Sequence, residues 1–497
     1  MNQNNISAAE LFLRVRELLI LPELEPKTRN KMMHDTLILC CHEGVKETKQ
    51  AFGNLFSQVD YLCKAHGIKV ADKIAIQTMR RHSNSQEPLS SEDLKYDARA
   101  LAIFISAVFG VDVPHELNVL IPHTNRPYQK GLEINNRRIR CIVKNWDSDF
   151  IRVDIDQDAD EEEYLVQLKD EENHIDHTYL WDILKEGMQL NLLDCQVKQP
   201  VITPRLIVVE PDYLVDISSI ATCFTAFGHH PLLYLLNQMK PRANTQATLL
   251  GNFAGAALDD IINTNGKYQM NETIKTNFRE KALEFCTCPW FDAKKFYTDA
   301  NQQAFNLQQV VDILFPRTAS QAQMSAFRGE SLYDRKKAIL EPSFVCEALG
   351  IQGRVDLMTT DCKLLVEQKS GRNMNIETHQ VDPGYHSYQL EPHYVQLLLY
   401  YGVLQHNFKL SNDRVNIRLL YSKYQPQDGL MVVAYYHKLF QEAITYRNQL
   451  VAASFEIAKE GFEHALNEFT PDVLNVAGTQ DFFYNKYLKP QIEAITS

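Results

Sequence analysis

Apolar and polar positions change rhythm twice along this chain. Between residues 7 and 120 the apolar positions recur at helical spacing, and Leu11, Phe12, Val15, Leu18 and Leu19 fall on one face of a helix. The polar stretch Ser83-Asn84-Ser85-Gln86-Glu87-Pro88-Leu89-Ser90-Ser91 interrupts these helices as a loop, and Ser90 with Asp93 has the spacing to cap the next one. From about 125 to 212 the pattern turns to short alternating strands. Arg138-Ile139-Arg140-Cys141-Ile142-Val143 and Phe150-Ile151-Arg152-Val153-Asp154-Ile155 alternate as the wall of a small, half-buried barrel does. After residue 215, strand-length apolar runs mix with helical periods, the run Arg414 to Tyr421 continues a sheet, and helices follow to the end. The expected parts are an N-terminal helical domain (1–122), a small β-barrel (123–214), an α/β domain (215–470) with a helical insertion at about 260–340, and a C-terminal helical segment (471–497).

Composition narrows the function classes. At 497 residues and 45% hydrophobic content the chain can bury several ordinary cores. Its most apolar run, Ala100 to Phe109, is about half of what a bilayer requires and reads as a buried helix, so no membrane partner is expected. A net charge of −12 argues against a general nucleic-acid coat, because phosphate contacts are made by clustered Lys and Arg. A local basic groove is still compatible with it, and Lys369, Arg372, Arg328, Arg335, Lys336 and Lys337 are candidates. Ten cysteines without paired spacing, and no signal-peptide pattern, read as reduced thiols of a cytoplasmic protein. Cys223 and the pair Cys286 and Cys288 are the only suggestion of metal binding by sulfur, and a weak one. The acidic run Asp156 to Glu163 lacks the central glycine of a calcium loop and reads as a solvated loop. Asn265-Gly266-Lys267-Tyr268 lacks the first glycine and the hydroxyl of a phosphate-binding loop, so the chain is not itself a P-loop ATPase.

The chemistry gathers in Gly353-Arg354-Val355-Asp356-Leu357-Met358 and, a few residues on, Leu364-Leu365-Val366-Glu367-Gln368-Lys369-Ser370-Gly371. Strand residues alternate faces, so Glu367 and Lys369 point one way and Gln368 the other. If the two strands pair, Asp356 lies beside them. An acid, any residue and a lysine also occur at Glu25 to Lys27, Glu47 to Lys49, Asp93 to Lys95, Asp292 to Lys294 and Asp334 to Lys336. Those five lie in polar surroundings and read as solvated faces. Around Glu367 the surroundings are apolar, and a buried charge calls for a partner or a metal. A structural ion pair of Glu367 with Lys369 or Arg354 is the plain alternative. Two carboxylates suit Mg²⁺, which prefers oxygen ligands, and a lysine can orient a water or neutralise charge on a phosphate.

His393 to Tyr401 reads as a helix with Gln396 and Tyr400 one turn apart on the same face. Alone, this pair is ordinary helix-surface polarity. In the order Asp356, then Glu367 with Lys369, then Gln396 with Tyr400, it resembles the RecB-like branch of the PD-(D/E)xK nucleases, over about residues 215 to 470. Upstream, Glu186 to Leu193 leading into Arg205 to Ile220 is similar to the junction between a small β-barrel and the nuclease in eukaryotic-type replication and repair nuclease-helicases.

The resemblance implies an α/β fold: a PD-(D/E)xK restriction-endonuclease-like mixed sheet flanked by helices, preceded by an OB-like β-barrel and the N-terminal helical domain. OB barrels often bind single strands, and Trp146, Phe150 and Arg152 are the residues for it here, although core packing is the plainer role for the aromatics. It further implies a Mg²⁺- or Mn²⁺-dependent deoxyribonuclease acting on single-stranded ends or flaps in replication, repair or defence. Asp356, Glu367 and the Gln368 carbonyl would hold the metal, Lys369 would position the water, and Gln396 and Tyr400 would contact DNA or steady the lysine. Arg372, Arg354 and His393 would contact DNA. Trp290, Lys294 and Lys295 in the helical insertion would shape the strand's path.

Two features of the family are not matched. Where its motif has a metal-binding histidine, Gly251-Asn252-Phe253-Ala254-Gly255 ends in a glycine, with Asp259 and Asp260 as candidate replacements. No cysteine follows Cys362, so the family's four-cysteine iron-sulfur cluster cannot form. Relatives carry a helicase motor after the nuclease, and the expectation is a helicase domain in cis or in trans. The rival reading is a non-catalytic DNA-end binding module or scaffold of a helicase-containing complex, which the missing histidine favours.

Overall fold

The computed structural model describes residues 6–464 except 22, 49, 86–87, 127–136, 157–162, 226–227, 240–243, 265–266, 379–388, 409, 411–414 and 462, and beyond them 485 and 489–496. The chain is mixed α/β and divides into two compact units, residues 1–212 with 455–461 and residues 213–454 with 462–497. The centre of the acidic run, at 157–162, and much of the predicted C-terminal segment lie outside the described residues.

In the first unit, the helices Ala8–Ile20, Pro26–Gly44, Leu55–Ala65, Val70–Asn84 and Ser91–Phe109 share one core. Leu11, Phe12, Val15 and Leu18 are buried in it and Leu19 packs at its edge, the face that the spacing predicts. Ser90 and Asp93 form a capping box, and a second one joins Ser7 and Glu10. The same unit holds a seven-stranded sheet. Arg138–Trp146 and Phe150–Ile155 pair antiparallel, Tyr164–Gln167 extends the meander, and Val201–Thr203 joins it in parallel. Gln189–Leu193 and Leu206–Val209 add antiparallel on the other side. Among the described residues the order runs open from Gln196–Lys198 to Leu206–Val209, and the pairing closes no barrel. Ile139, Cys141, Val143, Ile151 and Val153 face its core, and Trp146 packs against that core.

The second unit carries two small sheets besides a short hairpin. One is three-stranded: Ile351–Arg354 pairs in parallel with Val215–Asp216 and antiparallel with Ser343–Cys346. The other is five-stranded and mixed, in the order Ala338–Leu340, Leu357–Thr359, Leu364–Lys369, Asn416–Tyr421, Leu430–Val432. Its two central strands run parallel, with Glu367 beside Leu419 and Lys369 beside Tyr421. Alternation along these strands decides what covers each face. Leu364, Val366 and Leu420 pack with Leu249, Phe253, Ala257, Phe296, Leu307 and Val311 from the helices Gln246–Asn263 and Ala293–Leu314. The helix Ala293–Leu314 of the predicted insertion therefore shares a core with the sheet. The opposite face, with Glu367, Lys369 and Tyr421, meets the helix Glu391–Phe408. That helix is buried through Leu397, Leu398 and Leu399.

Candidate active site

Asp356 stands at the seam between the two sheets, where Ile351–Arg354 ends in one and Leu357–Thr359 begins in the other. Backbone bonds hold the seam: Glu341 N donates to Asp356 O at 2.9 Å and Val355 N to Pro342 O at 3.3 Å. The antiparallel ladder of Leu357–Thr359 on Leu364–Lys369 reaches Leu357 opposite Val366. Residues 367 to 369 extend past it, and the Asp356 side chain takes the next place, Oδ2 accepting the Gln368 N–H at 2.6 Å. The hairpin expected from sequence thus brings Asp356 beside Glu367.

Glu367 is buried to 3% side-chain exposure. Its Oε1 accepts from Lys369 Nζ at 2.8 Å, and its Oε2 has no hydrogen-bond partner. Burial, and next the charge of Asp356, pushes the Glu367 carboxyl up to about 8. Burial also raises Asp356, against the Gln368 N–H and Lys369. Lys369 Nζ donates a second bond, 2.9 Å, to Gln396 Oε1 on the facing helix. One turn on, the Tyr400 hydroxyl donates to Arg354 O at 2.6 Å, and burial with the nearby Glu367 raises its pKa. This approach requires Gly353, because a Cβ there would lie 2.9 Å from Tyr400 Cε1.

A further carboxylate lies near enough to feel the charge of Asp356. Asp259, on the helix Gln246–Asn263, is pushed up to about 7 by burial, then by Glu341 and Asp356. Asp260 turns instead to the Thr273 hydroxyl. A Cβ on Gly255 would meet nothing within 4 Å. Among the described residues no three His, Cys, Asp or Glu side chains form a ready metal cage. What fits a hard divalent cation is the donor chemistry, oxygen throughout, and the orphaned Oε2 of Glu367, which a buried site seldom leaves unmatched.

Gln368 turns to the other face, its Nε2 donating to Ser422 Oγ at 2.6 Å. Ser422 is also bonded to Gln303, Asn306 Nδ2 donates to Ser422 O at 2.9 Å, and Gln303 Nε2 donates to Ser370 O at 2.8 Å. This buried amide network fixes the strand end from behind. The candidates for DNA contact are more scattered. Arg354 pairs with Glu341 at 3.2 Å, and Arg372 pairs with Glu377 on the exposed side. His393 Nδ1 lies 3.0 Å from the Tyr421 hydroxyl, and burial, then Lys369, lowers it to about 3. It is neutral at ordinary pH. Arg335 is turned onto the carbonyls that end the helix Gln246–Asn263, including Ile262 O at 2.5 Å, and Lys337 pairs with Asp361 at 3.1 Å.

Three of the five look-alike doublets have a local explanation. Asp93, Asp292 and Asp334 each accept a backbone N–H at the start of a helix. Sequence reasoning missed Gly353, Glu341, Gln303 and Ser422. Only Gly353, a glycine inside a strand pattern, carried a signal of close approach. No protein-family model matches the chain, and no curated protein matches it.

Proposed function

We propose that this chain is a metal-dependent deoxyribonuclease of the RecB-like PD-(D/E)xK type, acting on single-stranded ends or flaps in replication, repair or defence. The carrying observation is Glu367: wholly buried, one oxygen on Lys369, the other unmatched, and a second carboxylate beside it. A structural ion pair would have no use for that second carboxylate or for the orphaned oxygen. Asp356 and Glu367 would hold Mg²⁺ or Mn²⁺, with the Gln368 carbonyl as a further ligand and Asp259 as the acid replacing the family's histidine. The ion supplies Lewis acidity and a more acidic water. Lys369, held between Glu367 and Gln396, would orient an attacking water and offset charge on the phosphate. Gln396 steadies the lysine, and Tyr400 ties the helix to the Arg354 carbonyl. The meander with a parallel partner strand in the first unit supports an OB-like reading of that sheet. A helicase in cis or in trans is the partner this reading implies.

The open space at Gly255 favours the second reading, a DNA-end binding scaffold that keeps the core without the chemistry. One experiment separates the two. Asp356→Ala and Lys369→Ala proteins are incubated with end-labelled single-stranded, duplex and flap DNA and Mg²⁺ or Mn²⁺, beside wild type. The nuclease reading expects cleavage by wild type alone, with binding retained in both variants. Undiminished cleavage by either variant overturns it, and binding without cleavage by wild type establishes the scaffold.

A further inference from the structure

Trp290 is 98% exposed, although tryptophan is ordinarily among the residues a fold covers most. Its backbone sits at φ 57°, a conformation that L residues rarely adopt. The loop that presents it is firmly built. Phe291 meets Phe285 and Phe296 at ring separations of 5.4 Å, and Phe278 stacks on Phe285 at 4.0 Å. Asp292 N donates to Gln246 Oε1 at 2.8 Å, and Asp292 Oδ1 accepts the Lys295 N–H at 3.0 Å. An aromatic cluster beneath and two polar ties therefore hold an indole out in water.

Its neighbours carry positive charge. Lys294 and Lys295 are exposed on the first turn of the helix Ala293–Leu314, and neither is in an ion pair among the described residues. The same helix braces the candidate strand from behind, where Gln303 Nε2 donates to the carbonyl of Ser370. From Ala293 to Gln303 is roughly 15 Å of helix at 1.5 Å per residue. A rigidly held flat aromatic face with two cations is the chemistry that grips a single strand without regard to sequence.

We infer that Trp290 stacks a base of single-stranded nucleic acid, with Lys294 and Lys295 on the adjoining phosphates. This rests on the nuclease reading above. The test is anisotropy of a labelled single-stranded thymidine oligonucleotide in EDTA, with wild type, Trp290→Ala, Trp290→Phe and the double variant Lys294→Glu/Lys295→Glu. Indole quenching is followed in parallel. Loss of one base–aromatic stack should weaken binding about 5- to 100-fold in Trp290→Ala, and Trp290→Phe should recover most of it. The lysine variant should bind more weakly and with a shallower salt dependence. Equal affinity of wild type and Trp290→Ala, with wild type cleaving DNA when Mg²⁺ is added, overturns this inference alone. A wild type that neither binds nor cleaves overturns the nuclease reading as well.

Discussion

The backbone N–H of Gln368 donates to Asp356 Oδ2 at 2.6 Å, so the aspartate is placed by the same strand that carries Glu367. Sheet geometry does the positioning: the ladder stops at Leu357, and a side chain continues where a backbone would have been. Asp356→Asn keeps an acceptor of the same size and removes the charge that pushes Glu367 up. The variant should melt at or above the wild-type temperature while losing about 100-fold or more in cleavage. Melting curves and a cleavage assay at saturating Mg²⁺ check both halves. A clear drop in stability would mean that the carboxylate serves the fold.

Metal affinity should rise with pH until the neutral range is passed. Glu367 is pushed up to about 8 and Asp259 to about 7, so the folded protein holds protons that the unfolded chain releases near the ordinary carboxylate range. Without metal, stability therefore falls as pH climbs from that range to about 8. A divalent ion must displace those protons, so binding should release them and tighten over the same window. Calorimetry of Mn²⁺ binding in two buffers of different ionisation enthalpy counts the protons. Binding with no proton release would count against Glu367 as a ligand.

Two glycines should respond oppositely to the same substitution. At Gly353 a Cβ would lie 2.9 Å from Tyr400 Cε1 and 3.3 Å from Ile217 Cβ. Gly353→Ala should cost about 1–3 kcal/mol by overpacking and should lower the cleavage rate by moving Tyr400. Gly255 sits within a helix with nothing near its Cβ. Gly255→Ala should stabilise by about 0.5–1 kcal/mol, because alanine loses less entropy on becoming helical. Urea unfolding of both variants compares them directly.

Period and punctuation made much of this legible. The face of Leu11 to Leu19, the capping by Ser90 and Asp93, and the opposite facing of Glu367 and Gln368 follow from spacings inside one element. Other relationships join residues far apart in sequence, and local pattern cannot show them. The Ser422–Gln303–Ser370 network spans three elements, and Asp259 feels the charge of Asp356 although the two lie almost a hundred residues apart. The lysine of each look-alike doublet drew attention to its acid, yet Asp93, Asp292 and Asp334 serve helix N-termini, Asp93 by accepting the Ser90 N–H before it and the other two by accepting N–H groups that follow.

The helix carrying Gln396 and Tyr400 is held at its start by a protonated imidazole. His229 Nε2 lies 2.9 Å from Glu391 Oε2 and its Nδ1 2.8 Å from Glu442 Oε1, linking the helices Glu391–Phe408 and His437–Glu460. Burial alone would lower this histidine, but the two carboxylates outweigh it and hold it up to about 9. Tyr446, bonded to Glu442, is a further titratable group against the clamp, and burial raises it. Because the folded value exceeds the ordinary 6.5, the stabilisation is complete below about 6.5 and is lost as pH rises through about 9. His229→Gln should therefore cost about 2 kcal/mol at about pH 6 and much less at about pH 10. It should also loosen the seat of Gln396, so that cleavage at low pH falls further than stability alone explains. Urea midpoints and cleavage rates at the two pH values decide it, and a stability difference unchanged across them would show that the clamp is not an ion pair.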